Sequence, residues 1–320
     1  MEKHIVLCFD KNFIFPIQVL LKSIQESNKA ESFTINIVSP DLEKQHKAEL
    51  QSEFSGNFTF NFYNIEDSIL SNLPVRKGDW INISTYYRIL LPTILPNDID
   101  TVLYLDGDML AVDAISDLWN INLTGFSAAV VPCIHYANPN EFVRLGLDKK
   151  EGYFNAGFML INLKFWREND IQTKTLNFLT KFPERCKKHD QDALNYVLSD
   201  TLLYISTRYN FQRIMYEKDF AYPIKFKDDI EKNALNPCII HYCDREKPWH
   251  KECFHPYTEL WRIVAKSVNP KFRLQYKYKG IKHLKFIIKK FLQHLGLLRP
   301  DKKDIYTVDF SKSPLFLTKQ

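Results

Sequence analysis

Val102-Leu103-Tyr104-Leu105-Asp106-Gly107-Asp108 is four apolar residues followed at once by two carboxylates. So short an apolar run, ended by turn residues, reads as a buried strand. Alternate side chains of extended backbone share a face, so Asp106 and Asp108 can reach one cation. Hard oxygen ligands of this kind suit Mg²⁺ or Mn²⁺ bound together with phosphates. Asp-Gly-Asp is equally good hairpin chemistry, so the fragment alone leaves both readings open. Outward from it, strand-like runs at 4–9, 33–38 and 58–63 alternate with helix-like segments at 15–25 and 42–54. Further strands are predicted at 128–131, 158–163 and 238–242, and helices at 85–95, 165–167, 173–181, 192–198 and 257–267. Strand and helix in alternation predict an α/β fold with a mostly parallel sheet flanked by helices. In such sheets ligands gather at the carboxyl ends of the strands.

The chain has 320 residues, 45% hydrophobic and 25% charged, with 14% aromatic residues. That balance excludes disorder and supports a large core. No apolar run is long enough to span a bilayer. The start, MEKHIVLCFD, lacks a secretory h-region, which points to a cytosolic protein. The six cysteines form no CxxC pair and no zinc spacing. Asn57, Asn82 and Asn122 open glycosylation-type triplets that, without secretion, carry no meaning.

The net charge of +5 is uneven: residues 271–303 hold eleven Lys or Arg and one acid, Asp301, leaving 32 basic and 37 acidic residues elsewhere. Within that stretch Ile281, Leu284, Ile288, Phe291, Leu295 and Leu298 recur at helical steps between lysines. A basic amphipathic helix is expected, suited to an anionic membrane surface or to packing on the body. Nucleic acid is not expected as a partner, because no recognition motif accompanies the charge. The composition shift near Asn269-Pro270 divides the chain into a catalytic domain, 1–268, and a basic tail, 269–320.

Four more groups could do chemistry. At 237–250 a strand delivers His241 next to Lys247, and imidazole could complete a mixed site with Asp106 and Asp108. Lys247 could meet a phosphate as a point charge. Tyr153-Phe154-Asn155-Ala156-Gly157 brings small residues that let a ligand approach backbone. His189-Asp190-Gln191-Asp192-Ala193-Leu194-Asn195 clusters polar side chains at a helix start, where capping explains one acid more easily than two. Asp10-Lys11-Asn12 follows the first strand, where a turn would use the same residues.

In this order, YLDGD, YFNAGFMLINLKFWR, DQDALN and HYCDREKPWH resemble glycosyltransferase family 8, especially its bacterial lipopolysaccharide α-galactosyl- and α-glucosyltransferases. The resemblance runs from about Ile5 to His250 and implies a GT-A fold holding a UDP-sugar and a divalent metal, usually Mn²⁺, with Mg²⁺ as an option. It implies retaining hexose transfer to a glycan or glycolipid acceptor, the lipopolysaccharide or lipooligosaccharide core, and a tail docked on the inner face of the cytoplasmic membrane. Residue by residue, Asp106, Asp108 and His241 would hold the metal. Asp10 and Asn12 would contact uridine. Arg88, Asp106, Asn155, Ala156 and Asp190 would reach the donor sugar, and Lys247 the diphosphate. Gln191 would lie at the anomeric carbon, and Ile81 and Ile83 in a stretch folded over the donor.

The chain departs from the pattern twice. Asp244 stands where relatives have Gly near the diphosphate, and 129–132 reads Ala-Val-Val-Pro where one galactosyltransferase subgroup has an acid. With an amide at 191, retention is expected by front-face substitution rather than through a carboxylate nucleophile. Two rival readings follow from the same residues. One is a haloacid-dehalogenase-type phosphatase with Asp106 as nucleophile, although that motif normally sits on the first strand and here three precede it. The other is an inactive membrane-associated protein that keeps the fold.

Overall fold

The computed structural model describes residues 2–65, 83–134, 138–147, 152–218, 220, 223–298, 305–306, 308–310 and 313–317. Its strands are β1 (His4–Cys8), β2 (Phe33–Ser39), β3 (Phe58–Asn64), β4 (Thr101–Leu105), β5 (Met109–Ala111), β6 (Ala128–Pro132), β7 (Phe154–Asn162), β8 (Leu202–Tyr204), β9 (Phe211–Gln212) and β10 (Ile239–His241). Its helices are α1 (Ile14–Ser27), α2 (Lys44–Glu53), α3 (Leu91–Ile94), α4 (Pro139–Leu145), α5 (Leu163–Glu168), α6 (Ile171–Lys181), α7 (Asp190–Val197), α8 (Ile224–Asn233), α9 (Thr258–Val268), α10 (Gly280–His294) and α11 (Pro314–Leu317).

Seven strands form one sheet in the order β3-β2-β1-β4-β7-β6-β8, and β5-β10-β9 form a second. The large sheet is mostly parallel; β7 alone runs against both its neighbours. Burial explains why its strands are apolar on both faces. Ile5, Leu7, Leu103, Leu105, Phe158 and Leu160 join one core cluster, while Val6, Val102, Tyr104, Met159 and Ile161 join the other. Each strand therefore feeds two helical layers, with side chains alternating between them.

Topology sets the site. β1 and β4 are parallel neighbours, so Asp10 and Asp106 leave the sheet at the same edge. β7 is antiparallel, with Phe158 opposite Leu105, so its first residues, Asn155, Ala156 and Gly157, lie at that edge too. The Asp106-Gly107-Asp108 segment is not a hairpin turn: it hands the chain from β4 to β5, which pairs with β10 in the other sheet. That pairing sets His241 opposite Met109, one residue past Asp108.

Two expectations need correction. The helix expected at 85–95 is a 3₁₀ helix, Ile83–Leu90, followed by the short α3. Pro92 has no N–H and is tolerated only in a first turn, so a fresh helix starts there. The strand expected from 158 starts at Phe154, because Asn155-Ala156-Gly157 pair into the sheet despite their weak strand propensity. The structure also describes part of the stretch after 268. α10 projects with no buried residue, but the chain then returns: the Tyr306 N–H bonds the Tyr216 carbonyl, and Leu315 is 1% exposed against α1 and α9. No described helix is long and apolar enough to cross a membrane.

Candidate active site

Asp106, Asp108 and His241 converge, each offering one ligand atom, with all three atoms within 4.8 Å of one another. His241 Nδ1 lies 2.9 Å from the Asn210 side-chain oxygen, and the Asn210 amide nitrogen donates to Asn155 Oδ1 at 3.0 Å. With Nδ1 on that oxygen, Nε2 points to Asp108 Oδ1 at 3.2 Å and Asp106 Oδ2 at 4.0 Å. Lone pairs facing across such gaps repel unless a cation or proton lies between them. The donor set and its outer hydrogen bonds thus fit a divalent ion.

Gly157 makes the space. A Cβ there would stand 2.5 Å from His241 Cε1 and 2.7 Å from Asp106 Oδ2. Gly157→Ala is expected to weaken divalent-metal affinity at least about tenfold by displacing two ligands. Titration with Mn²⁺ followed by electron paramagnetic resonance checks this, and unchanged affinity would mean the cluster holds no ion.

Burial by itself would raise the Asp108 pKa, but Lys247 and His241 outweigh it and hold the carboxyl well below the usual range. Lys247 Nζ lies 2.6 Å from Asp108 Oδ2 and 2.7 Å from the Tyr242 carbonyl. Burial lowers the Lys247 pKa, yet Asp108 more than compensates and the ammonium stays charged. A fixed cation thus stands beside the Asp106–Asp108–His241 cluster.

Arg88, 4% exposed, knits the other side together. Its Nη2 lies 3.2 Å from Asp106 Oδ1, its Nη1 donates to the Ala156 carbonyl, and its plane lies 4.5 Å over the Tyr104 ring. Asp190 Oδ2 is 3.0 Å from Arg88 Nε, but that N–H donates to the Thr85 carbonyl at 2.8 Å. The buried Asp190 oxygen is left without a hydrogen bond. Desolvation raises the Asp190 pKa, with Arg88 opposing.

Gln191 Oε1 accepts the Ala156 N–H at 3.1 Å, and its Nε2 donates to Tyr153 Oη at 3.1 Å. Asn155 lies 3.4 Å from Gln191 and accepts the Gly157 N–H at 3.1 Å. A continuous polar chain, Gln191–Asn155–Asn210–His241, therefore joins α7 to the Asp106–Asp108–His241 cluster. The two acids of the α7 start divide their work. Asp190 faces Arg88, whereas Asp192 is a buried brace held by Arg144, Tyr153 and the Lys188 N–H. His189 precedes them at φ +55°, strained for a non-glycine residue, and its Nδ1 is 3.1 Å from Tyr86 Oη.

Asp10 follows β1 and accepts the Asn12 N–H at 2.8 Å, a capping contact. Ile81 lies outside the described residues, and Ile83 opens the 3₁₀ helix. Sequence reasoning gave no site role to Asn210 or Tyr104; Tyr153 and Asn195 lay within the motifs without a role of their own, and the Asn195 side chain braces the Phe154 N–H and carbonyl at 2.7 and 3.0 Å. Asn210 comes from an irregular stretch with no motif to flag it. Asn195 is part of DQDALN, and its helical spacing from Gln191 was the available signal.

A strand-end carboxylate pair, a distant imidazole and a cationic loop meet at one sheet edge, where a metal-assisted group transfer could be held. The chain belongs to glycosyl transferase family 8, whose model matches residues 4–253. It is 27% identical over 266 residues to general stress protein A of Bacillus subtilis, covering 80% of this chain and 90% of the relative. It is 28% identical over 281 residues to the lipopolysaccharide 1,3-galactosyltransferase of Salmonella typhimurium, covering 83% and 78%. The solved galactosyltransferase LgtC, in complex with donor and acceptor sugar analogs, superposes with a TM-score of 0.74 at 24% identity, covering 88% of this chain and 99% of that one. The protein is a glycosyltransferase, and the phosphatase reading, which needs its motif on the first strand, falls.

Proposed function

We propose that the protein transfers galactose or glucose from a UDP-sugar to a saccharide acceptor of the lipopolysaccharide or lipooligosaccharide core type, with retention and with Mn²⁺, or alternatively Mg²⁺. The observation that carries this is the convergence of Asp106, Asp108 and His241 beside Lys247. A divalent ion bound there would neutralise charge on the departing diphosphate. Lys247 adds a fixed positive charge at the same place. The unsatisfied Asp190 oxygen, buried beside Arg88, suits a sugar hydroxyl donor. Asp10 and Asn12, at the same sheet edge, are the uridine contacts of this reading. The carboxamide of Gln191, engaged through both its atoms, is a poor nucleophile and a good electrostatic support. Substitution on the leaving-group face therefore fits better than a covalent adduct. Relatives that include a lipopolysaccharide 1,3-galactosyltransferase and a lipopolysaccharide 1,2-glucosyltransferase of Escherichia coli support the hexose.

The same reading puts the acceptor at an anionic membrane surface on the cytoplasmic side. α10 exposes Ile281 (74%), Leu284, Ile288 and Phe291, with Lys282, Lys285, Lys289 and Lys290 alongside. Each lysine near anionic lipid contributes about 1 kcal/mol.

A donor panel with Mn²⁺, scored by UDP release with and without lipooligosaccharide, tests the transfer. UDP-galactose or UDP-glucose should turn over, and a flat result for both would end the hexose reading. Cutting the chain after Asn269 is a poor test of α10. The Lys277 N–H bonds Glu252 at 2.9 Å, the Lys251 N–H bonds the Gln275 carbonyl at 2.9 Å, and Tyr278 Oη donates to Glu246, so the cut would loosen the Lys247 loop. Reversing the four lysines to Glu leaves those contacts alone. That variant should lose sedimentation with phosphatidylglycerol vesicles and keep turnover on soluble acceptors; undiminished sedimentation would reject the membrane role.

A further inference from the structure

The loop that presents Lys247 carries an electrostatic problem. It starts at the end of β10, where the Tyr242 N–H bonds the Asp108 carbonyl at 3.0 Å, and it returns when Lys247 Nζ meets the Tyr242 carbonyl at 2.7 Å and Asp108 Oδ2 at 2.6 Å. Asp244 lies inside that closed turn, with a side chain 40% exposed. A diphosphate drawn to Lys247 meets a like charge three residues away along the same loop.

The answer comes from a neighbouring element. β9 pairs in parallel with β10, Gln212 opposite His241, so Arg213 emerges level with the start of the loop. Its Nε donates to the Asp244 carboxylate and its Nη1 to Glu217, one turn further along the 3₁₀ helix Arg213–Tyr216 and its cap. The guanidinium is thus gripped on two edges, a geometry a lysine could not supply. Glu217 is itself buried, so Arg213 is aimed rather than loosely tethered.

We infer that Arg213 is a positioning residue for donor binding: by pairing with Asp244 it cancels that carboxylate's charge and holds it away from the diphosphate. The inference rests on the proposed UDP-sugar reading and concerns how this chain, with an acid in its phosphate loop, still accepts a diphosphate. Arg213 acts through Asp244, and its loss should be cured by removing the acid. A purely structural arginine, or one that touches UDP itself, would not behave so.

The test is calorimetric titration of UDP in MnCl₂ against the full chain. Arg213→Gln should weaken UDP binding about tenfold, the effect of freeing one like charge near the phosphates. Asp244→Asn should bind at least as tightly as the parent, and the double variant Arg213→Gln/Asp244→Asn should return to within about threefold of Asp244→Asn. Should Arg213→Gln fail to fold because it breaks the ion pair with Glu217, Arg213→Gln/Glu217→Gln removes that charge and carries the same expectation. Parent-like UDP affinity without Arg213 overturns the inference, and so does a double variant as weak as Arg213→Gln. A parent protein that binds no UDP with Mn²⁺ defeats the donor reading itself and takes this inference with it.

Discussion

Asp108→Asn will lower turnover by roughly a thousandfold or more while the protein still folds cooperatively. The substitution keeps the side-chain shape and an oxygen for the Lys247 ammonium, 2.6 Å away. It removes the negative charge that faces both Lys247 and His241, the two groups that hold the Asp108 carboxyl ionised against its own desolvation. With one of two anionic ligands gone, the cluster keeps one carboxylate and one imidazole, too little for a hard divalent ion that must also hold a diphosphate. UDP release, a metal titration and a thermal melt together read the outcome. Turnover within tenfold of the parent would remove the metal from the account of catalysis.

Arg88→Met will destabilise the fold by about 3–5 kcal/mol as well as abolish turnover, because breaking a buried charge network leaves its partners uncompensated. The guanidinium meets Asp106 at 3.2 Å and Asp190 at 3.0 Å and also binds the Ala156 and Thr85 carbonyls. Burial already raises the Asp190 pKa, and Arg88 is what opposes it. Without Arg88 that pKa rises further above its unfolded value, so between those two pKa values the folded variant binds more protons than the unfolded chain. Its stability deficit should therefore shrink as pH falls from 7 to 5 and widen as pH rises. Urea unfolding across that range measures the trend; a deficit independent of pH would mean that Asp190 is not the group left exposed. Arg88→Lys should restore little, since an ammonium cannot span four acceptors in a plane.

These variants differ in how far the sequence could have pointed to them. Asp106 and Asp108 were legible because a strand-ending Asp-x-Asp is a local pattern: backbone periodicity alone puts both carboxylates on one face. Arg88 was not legible from residue spacing. Nothing in Tyr86-Tyr87-Arg88-Ile89 distinguishes a buried guanidinium from a solvated one, and only resemblance to a family singled it out. Asn210 had neither a motif nor a resemblance to mark it, although its oxygen lies against His241 Nδ1. Asp244 was read as a liability to donor binding; the partner that offsets it, Arg213, lies 31 residues away in sequence.

By itself the sequence determined the α/β character, the buried apolar strands, the Asp-x-Asp pair at a strand end and an amphipathic, lysine-rich helix within 281–298. Those follow from periodicity and composition, which act over a few residues. Only the tertiary structure decided that Asp-Gly-Asp hands the chain between two sheets rather than closing a hairpin. It also decided that Asp190 and Asp192 face different partners, and that the chain after α10 folds back to bury Leu315. Such choices depend on which distant charge or apolar surface a side chain meets. Burial makes those meetings costly to leave unmade, and no local rule encodes them.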